Sequence, residues 1–439
     1  MNRREFDPLR SLMEAQPAQA VRMGIACVAA AAFYFAFPQG LFVGPLCVLL
    51  LLWAAEKETR NQPLMLYLAA GLFLTMGVAA HLSMLTIRSA RMSRTLLPLL
   101  EDMWNYDLNT AMAWEENSWS GGYLVLLGLI SRLEENQVTV IKLVNLCFTT
   151  GSALAVGQLA RQRGASCLGR VGAMGAAMLL PTVLLNSGCW GQCDAIFACF
   201  ALWGLSLLLD RHPCWGCLLL GMAGAFKLQG MFMYPLLLPM FMEKKVSLRH
   251  LLLGVAGFAA FHVPMLVDGQ ALMSILARYN TQIIDAAYGT VGLTDNGPGI
   301  YGLMNIASVR EFSGMGMFLS FACALLFALA LTKRGPITDR GYVSAALVLC
   351  IGLPLVLPQM NARGLYLAGL LSLTLVQDWK GALVALVLET VSLCGYMAAI
   401  FNNTILPLTV LSLMGIGLML AAVVLFLDET QKVPAHGQD

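Results

Sequence analysis

Apolar residues run along nearly the whole chain in blocks that are long enough to cross a lipid bilayer. Blocks of about 17 to 25 apolar residues recur from one end to the other, and an α-helix of that length spans the hydrocarbon core of a membrane. The pattern predicts an all-α polytopic membrane protein with about fourteen transmembrane helices. The predicted crossings are 19–37, 41–55, 64–86, 139–160, 169–187, 194–209, 214–226, 229–243, 249–267, 314–332, 341–357, 364–377, 381–400 and 405–427.

The composition agrees with a membrane protein and excludes other classes. Of the 439 residues, 58% are hydrophobic and only 12% are charged, against about 25% charged in soluble domains. The net charge of +2 and the absence of a basic patch with interleaved aromatic residues give no sign of a nucleic-acid partner. Cys214 and Cys217 form a C-x-x-C, but no second pair follows at zinc spacing, so no metal site is predicted.

The distribution of basic residues predicts the orientation. The first apolar run follows several arginines and shows no A-x-A cleavage pattern, so it is expected to remain as an uncleaved helix. With a cytoplasmic N-terminus, fourteen crossings place most of the 27 Lys and Arg on the inside, as the positive-inside rule requires. Both termini are then cytoplasmic, and the long polar loops 87–138 and 268–313 are external. The apolar pieces TLLPLL and YLVLLGLI in the first loop suggest helices at the membrane interface.

Polar residues concentrate at a few predicted helix ends on the external side. The joint NSGCWGQCD at 186–194 carries more polar groups than a plain turn needs, Lys227 and Gln229 interrupt a long apolar stretch, and Arg363 stands alone near another helix end. A charge inside a membrane segment costs several kcal/mol, so it usually faces a cavity or a partner.

Two interpretations of the cations remain open from the residues alone. Lys227 and Arg363 together suit the oxygens of a phosphate that arrives on a lipid, because Arg offers a planar fork of donors and Lys a point charge. Alternatively, the two cations pair with Asp194 or Asp285, or Lys227 only marks a helix end by snorkelling.

These segments resemble a large bacterial family of membrane glycosyltransferases with the GT-C fold, relatives of GPI mannosyltransferase II and of the dolichyl-phosphate-glucose glucosyltransferases. The resemblance is carried by N-S-x-x-W-G-Q-x-D at 186–194 and by F-K-x-Q with its following proline at 226–235. LTDNGPGIYGLM at 293–304 and PQMNARGLY at 358–366 are similar to two further family segments. The resemblance covers about 64–400. It leaves 1–60 as an N-terminal membrane hairpin extension before a GT-C-like domain at 61–439.

The resemblance implies a function and a set of site residues. A polyprenyl-phosphate-linked sugar, usually mannose, is expected to bind with its phosphate on Lys227, Gln229 and Arg363. A carboxylate of the first external loop then deprotonates an acceptor hydroxyl, which attacks the anomeric carbon with inversion; some GT-C enzymes also use a divalent metal. The sugar pocket is expected to be lined by Asn186, Trp190, Gln192, Asp194, Asn296 and Tyr301.

Within that pocket Trp190 is expected to stack on a sugar face and Gln192 to hydrogen-bond sugar hydroxyls. The alternative for the joint is a tight turn between helices whose polar groups satisfy one another.

The chain departs from the family where the acid–base chemistry is expected. Arg91 and Thr149 stand where the family has acidic residues, and Gly121 and Gly122 replace two prolines. In the stretch that is usually H-E-R-Y, the His and Glu are absent and the arginine is kept as Arg363. Either the base has moved within the first loop or catalysis is lost. The candidates for a relocated base are Asp102 and Asp107 first, then Glu101, Glu115 and Glu116.

Three functions therefore follow from the sequence. The first is a glycosyltransferase that uses a polyprenyl-phosphate-linked sugar. The second is a catalytically degenerate relative that binds a lipid-linked saccharide or supports an active paralogue. The third, a transporter, is disfavoured because the chain shows no internal repeat and its membrane-level charges cluster on one side rather than at the midplane.

Overall fold

Helices make up the whole architecture that the structure describes. The structure is a computed structural model, and it describes residues 7–90, 92–105, 119–133, 136–279, 293–304 and 309–431. Within these ranges no strand occurs, and only isolated backbone bridges join Asp295 and Asn296 to Asn361. Eight helical stretches in the described ranges are long and apolar enough to cross a membrane. The prediction of an α-helical membrane protein is confirmed.

The helices follow the predicted apolar segments, although several are shorter than a full crossing. The first half of the chain contains α1 Asp7–Ala36, α2 Val43–Thr59, α3 Leu64–Ser83, α4 Leu97–Asn105, α5 Gly121–Ser131, α6 Gln137–Gln162, α7 Cys167–Leu179 and α8 Asp194–Leu209. The second half contains α9 Pro213–Phe226, α10 Leu237–Met242, α11 Leu248–Ala260, α12 Val263–Val267, α13 Val309–Lys333, α14 Asp339–Val356, α15 Tyr366–Ser372, α16 Trp379–Phe401 and α17 Leu408–Gln431.

One end of the helix bundle, which we call the basic end, is held together by ion pairs. Arg163, just after α6, forms a bidentate pair with Glu429 near the end of α17. Arg170 at the start of α7 lies 2.5 Å from Glu58 near the end of α2. The first pair joins the C-terminal ends of two helices, and the second joins the end of α2 to the beginning of α7, so these contacts show which helix ends lie together. The opposite end, where α8 begins and α9 ends, is called the site end.

The N-terminal hairpin of α1 and α2 packs against the rest of the bundle. Cys47, Leu51 and Ala55 of α2 are fully buried, and α2 contacts α3, α6 and α7. At the basic end the Arg22 guanidinium donates to the carbonyl oxygen of Thr59 at 2.8 Å. The hairpin is thus joined to the bundle by apolar packing along its length and by a buried arginine at one end.

The two apolar pieces of the first loop are helical, as the sequence suggested, but α5 is not a surface helix. Nearly all of its residues are buried, and α5 packs against α9. A Cβ on Gly122 would lie 2.8 Å from the carbonyl oxygen of Ala225, and a Cβ on Gly121 would lie 2.6 Å from the His262 ring. Gly122 therefore allows an approach to the end of α9, and Gly121 an approach to His262, that larger residues would prevent.

A break in the helical run 167–190 is held by a carboxylate from α16. Leu180 is extended and Pro181 begins a new turn, so the backbone N–H of Thr182 has no partner within its own helix. Glu389 supplies one: it accepts from the Thr182 backbone N–H at 2.9 Å and from the Thr182 hydroxyl at 2.8 Å. Glu389 lies on the same face of α16 as Tyr396, seven residues further on, so the break is fixed beneath the joint at 186–194.

Removal of the Glu389 carboxylate is expected to loosen this break. Glu389→Ala leaves the Thr182 N–H and hydroxyl unpaired in the protein interior, and we expect a loss of about 1–3 kcal/mol in the free energy of unfolding. Glu389→Gln keeps one accepting oxygen and places a donor near the Thr182 hydroxyl, so it should recover most of that loss. Unfolding in mixed micelles of increasing SDS content measures both.

The matched control is Thr390→Ala, at the next residue of α16, which is exposed. This variant is expected to unfold as the parent protein does. A Glu389→Ala protein as stable as the parent would show that the carboxylate does not hold the break.

Candidate functional site

The joint between α7 and α8 is a buried turn that depends on glycine. Residues Leu184–Trp190 form a π-helical turn, and Gly191 follows in the left-handed region with φ +67°. A Cβ on Gly191 would lie 2.2 Å from the Cε atom of Met92. Only glycine fits both the backbone conformation and the contact without strain. The turn then delivers Asp194 to the first position of α8.

Asp194 and Lys227 meet because α8 and α9 form an antiparallel pair. Asp194 begins α8, and Lys227 directly follows the last residue of α9, where the backbone turns to an extended conformation. The Lys227 ammonium forms an ion pair with the Asp194 carboxylate. Each charge also suits its helix end, because a carboxylate is stabilised at a helix N-terminus and a cation at a C-terminus.

Two neutral side chains complete the surroundings of the carboxylate. The Asn186 side-chain amide donates to Asp194 Oδ2 at 2.6 Å and to the Tyr396 hydroxyl at 2.8 Å. Tyr396 comes from α16, so this contact ties the joint to a helix that is distant in sequence. Asp194 and Asn186 are fully buried, and these hydrogen bonds offset part of the cost of burying the charge.

Arg363 adds a second cation from the other side. It lies in the 3₁₀ turn Ala362–Leu365, which Asn361 caps by accepting from the Arg363 backbone N–H at 3.1 Å. The guanidinium donates to the side-chain oxygen of Gln192 and lies 3.6 Å from Asp194 Oδ2. It also lies 5.0 Å from the centroid of the Trp190 ring, a cation–π contact.

The resulting group, which we call the Asp194 cluster (Asn186, Trp190, Gln192, Asp194, Lys227, Arg363 and Tyr396), carries an excess positive charge. Two cations face one carboxylate, which leaves one net positive charge in a mostly buried setting. The side chains of Lys227 and Arg363 are 14% and 10% exposed, whereas that of Asp194 is 0% exposed. The part of the cluster open to its surroundings is therefore cationic, and it suits an anion.

Polar atoms without a partner add to this picture. Within the described residues, two buried atoms of the cluster, Nε of Arg363 and Oδ1 of Asn186, have no hydrogen bond. The buried hydroxyl of Tyr123 in α5, which interacts electrostatically with Asp194 and Arg363 and so borders the cluster, has none either. Buried polar groups are rarely left unpaired in proteins. The cluster thus holds one donor and one acceptor whose hydrogen-bonding capacity is not used.

The structure brings together most of the predicted site residues. Lys227 and Arg363 both contact Asp194, one of the two carboxylates that the sequence offered as their partner. The other carboxylate, Asp285, lies outside the described residues. Trp190 is only 1% exposed, and its ring is occupied by Arg363 and by Tyr396 in an edge-on contact with centroids 5.8 Å apart. A sugar would therefore reach Trp190 only if Arg363 moved.

Other predicted site residues lie apart from the cluster. Gln229 is buried two residues after Lys227, and in the described part of the chain it makes no hydrogen bond to the cluster. Asn296 is exposed, and its backbone bridges to Asn361. Tyr301 is buried, and its hydroxyl donates to the carbonyl oxygen of Val356 at 2.7 Å, so it supports the 356–363 segment that carries Arg363.

The predicted catalytic acids are not part of the cluster as described. Asp102 is half-buried on α4, and no contact between it and the cluster occurs among the described residues. Asp107, Glu115 and Glu116 lie outside the described residues. Where the structure describes the chain, no group of three His, Cys, Asp or Glu side chains that could hold a metal ion occurs.

Sequence reasoning missed two tyrosines of the site. Tyr396 lies within an apolar run of α16. Tyr123 lies in α5, directly after the glycine pair that replaces two prolines of the family pattern. Nothing in their local sequence marks them as site residues. Their position depends on long-range packing, which only the folded chain defines.

Neither a protein-family model nor any curated protein matches this sequence.

The charge balance of the cluster predicts an asymmetry between two neutralising substitutions. Asp194→Asn leaves two buried cations without a carboxylate, and we expect a loss of about 3–5 kcal/mol in unfolding free energy. Lys227→Met leaves one cation with one carboxylate, so its cost should be clearly smaller. The double variant should be more stable than Asp194→Asn alone. SDS unfolding of all three variants measures this. Equal losses for the two single substitutions would contradict a net positive cluster.

The backbone of the joint predicts a different effect at Gly191. Gly191→Ala forces a side chain into the left-handed region, at a cost of about 1–2 kcal/mol, and displaces the tip of Met92. Gly172→Ala in α7 is the control, because a Cβ there meets nothing within 4 Å, and this substitution should be neutral or slightly stabilising. Thermal unfolding in nanodiscs compares them. A Gly191→Ala protein as stable as the control would show that the turn does not need glycine.

Proposed function

We propose that this chain is a membrane glycosyltransferase that transfers a hexose, mannose in the first instance, from a polyprenyl-phosphate-linked donor to an external acceptor hydroxyl. The observation that carries the proposal is the Asp194 cluster, whose net positive charge and slightly exposed cations suit a phosphate at the membrane-embedded site end. The resemblance of segments 186–194, 226–235 and 358–366 to the GT-C family supports the same function.

The proposal includes an orientation in a bacterial cytoplasmic membrane. Fourteen crossings put the basic end, with Arg163, Arg170 and Lys245, on the cytoplasmic side together with both termini, in accord with the positive-inside rule. The site end and the two long loops then face outward. The donor reaches the cluster from the bilayer, with its phosphate at the depth of Lys227.

In the proposed reaction the cluster binds and stabilises the phosphate. The donor phosphodiester carries one negative charge, which the net positive charge of the cluster balances. As the bond between the anomeric carbon and the phosphate oxygen breaks, the leaving polyprenyl phosphate gains negative charge. Lys227 and Arg363 are then placed to stabilise that charge more strongly than the ground state.

The proton of the acceptor hydroxyl goes to a carboxylate of the first loop, while the hydroxyl oxygen attacks the anomeric carbon from the face opposite the phosphate. Asp102 and Asp107 are the proposed bases. Asp194 is poorly suited to this role, because its oxygens already accept from Lys227 and Asn186. A base must come within about 2.6 to 3.2 Å of the proton donor, so the first loop has to approach the cluster in the donor complex.

A second candidate function is a binding protein without transferase activity. It is favoured by one observation: among the described residues, the only carboxylate in contact with the cluster is Asp194, and its charge is committed to ion pairs. This protein would hold a lipid-linked saccharide for a partner or paralogue. The two candidates share the phosphate site and differ only in the base.

The test measures binding and transfer on the purified full chain in nanodiscs. Radiolabelled polyprenyl-phosphate-mannose and polyprenyl-phosphate-glucose are the donors, octyl mannoside is the acceptor, and transfer is followed with and without divalent metal. We expect saturable donor binding, weakened about tenfold or more by Lys227→Ala because a charge-assisted contact to phosphate is lost. We also expect transfer that Asp102→Asn or Asp107→Asn abolishes without weakening donor binding.

Lys380→Ala is the matched control, since Lys380 is 55% exposed and lies at the basic end. Its donor binding should equal that of the parent protein. If the protein binds the donor but neither transfers the sugar nor hydrolyses the donor, the second candidate is favoured. Absence of saturable donor binding, or equal binding by the Lys227→Ala protein, would exclude both.

A further inference from the structure

A polar cavity lies at the site end and shares no lining residue with the Asp194 cluster. It has a volume of about 330 Å³. Three separate parts of the chain form it: the turn between α1 and α2, the segment after α3, and the start of α6. Its polar side chains are Gln39, Thr86, Arg88, Asn136 and Thr139.

The cavity is cationic. Arg88 is exposed and has no ion-pair or hydrogen-bond partner among the described residues. Beneath it, Lys142 of α6 is buried, and its ammonium donates to the carbonyl oxygens of Met84, at 2.7 Å, and of Ile87. Because Ile87 precedes Arg88 in the chain, the two positive charges lie close together. Among the described residues, no carboxylate lines the cavity. Glu134 and Glu135 are not among the described residues.

The side chains of the cavity match the ligands of a phosphate group. A guanidinium gives a planar fork of donors for phosphate oxygens, and hydroxyl and amide side chains supply further donors. Thr86 and Thr139 offer hydroxyl groups, and Gln39 and Asn136 offer amides. Lys142 also fixes the backbone that carries Thr86 and Arg88, so the arginine is presented from an anchored segment.

The position of the cavity points to a membrane lipid as the source of the phosphate. Tyr34, Phe35 and Phe42, beside the turn between α1 and α2, are 52%, 80% and 73% exposed. A tyrosine at a helix end is typical of the level of the lipid headgroups, and the two phenylalanines offer apolar surface that lipid chains can cover. A phosphate bound at Arg88 would lie at that level, with its acyl chains along the hairpin.

From these contacts we infer that the N-terminal hairpin, the segment after α3 and the start of α6 form a binding site for a phosphate group, supplied by the headgroup of an anionic phospholipid. This assigns a role to the hairpin extension, because the turn between α1 and α2 lines the cavity together with Arg88. The inference does not depend on the proposed transferase activity.

The experiment uses the full chain, purified and stripped of lipid, with phosphatidylglycerol as the ligand and phosphatidylcholine as the neutral lipid. Native mass spectrometry counts the bound lipids, and the thermal midpoint is followed in nanodiscs of either composition. We expect retention of phosphatidylglycerol over phosphatidylcholine and a higher thermal midpoint with phosphatidylglycerol. Arg88→Gln should weaken phosphatidylglycerol binding about tenfold, and Thr139→Val should weaken it less.

The matched control is Arg94→Gln, which removes an exposed arginine outside the cavity and should leave binding unchanged. An arm with inorganic phosphate distinguishes the sources: competition by millimolar phosphate would support the phosphate site but assign it to a soluble ligand. If the Arg88→Gln protein is unstable in phosphatidylcholine, phosphatidylglycerol binding by the Thr139→Val protein is the test instead. Equal phosphatidylglycerol binding by the parent and by the cavity variants would overturn the proposal.

Discussion

The site end of this protein depends on one buried carboxylate that has to be matched by cations from distant parts of the chain. Asp194 is fully buried at the first position of α8, and a charge in that setting is tolerated only when it is paired and hydrogen-bonded. Lys227 comes from the end of the neighbouring helix, and Arg363 comes from a 3₁₀ turn far along the sequence. The carboxylate therefore fixes the relative positions of three segments at membrane depth.

The same constraint links structure to function. A single carboxylate facing two cations keeps both cations in place in the resting protein, yet leaves one positive charge available. Breaks in the helices make this possible: Lys227 lies at the junction of α9 with a 3₁₀ segment, and Gly191 ends a π-helical turn. Irregular backbone at this depth is tolerated only where it is buried in protein or lines a cavity. Here Glu389 of α16 accepts from the backbone N–H of Thr182, and Tyr396 of the same helix accepts from the side chain of Asn186.

Much of this could be predicted from the sequence, and the missing part has a physical reason. Apolar block length identifies helices such as α14 and α17 because the bilayer imposes their length. Asn186, Gln192, Asp194, Lys227 and Arg363 were found because polar side chains at membrane depth are costly and therefore rarely accidental. Tyr396 escaped detection because one tyrosine in a long apolar helix is ordinary. Glu389 is a charge inside an apolar run, but its partner Thr182 is distant in sequence and only the fold brings the two together. The pairing of Lys227 with Asp194 stayed one of several alternatives, because only the antiparallel packing of α8 on α9 selects it.

The central claim is that the Asp194 cluster binds the phosphate of a lipid-linked sugar through Lys227. The most direct test is a solid-state NMR distance measurement between the ³¹P nucleus of bound polyprenyl-phosphate-mannose and ¹⁵N-labelled lysine ammonium groups, with Lys227→Arg to assign the signal. The account predicts one lysine nitrogen within about 4 Å of the phosphorus, as a direct ammonium–phosphate contact requires, and the loss of that signal in the Lys227→Arg protein. A donor that binds with no lysine nitrogen near its phosphate, or with a contact that persists in Lys227→Arg, would contradict it.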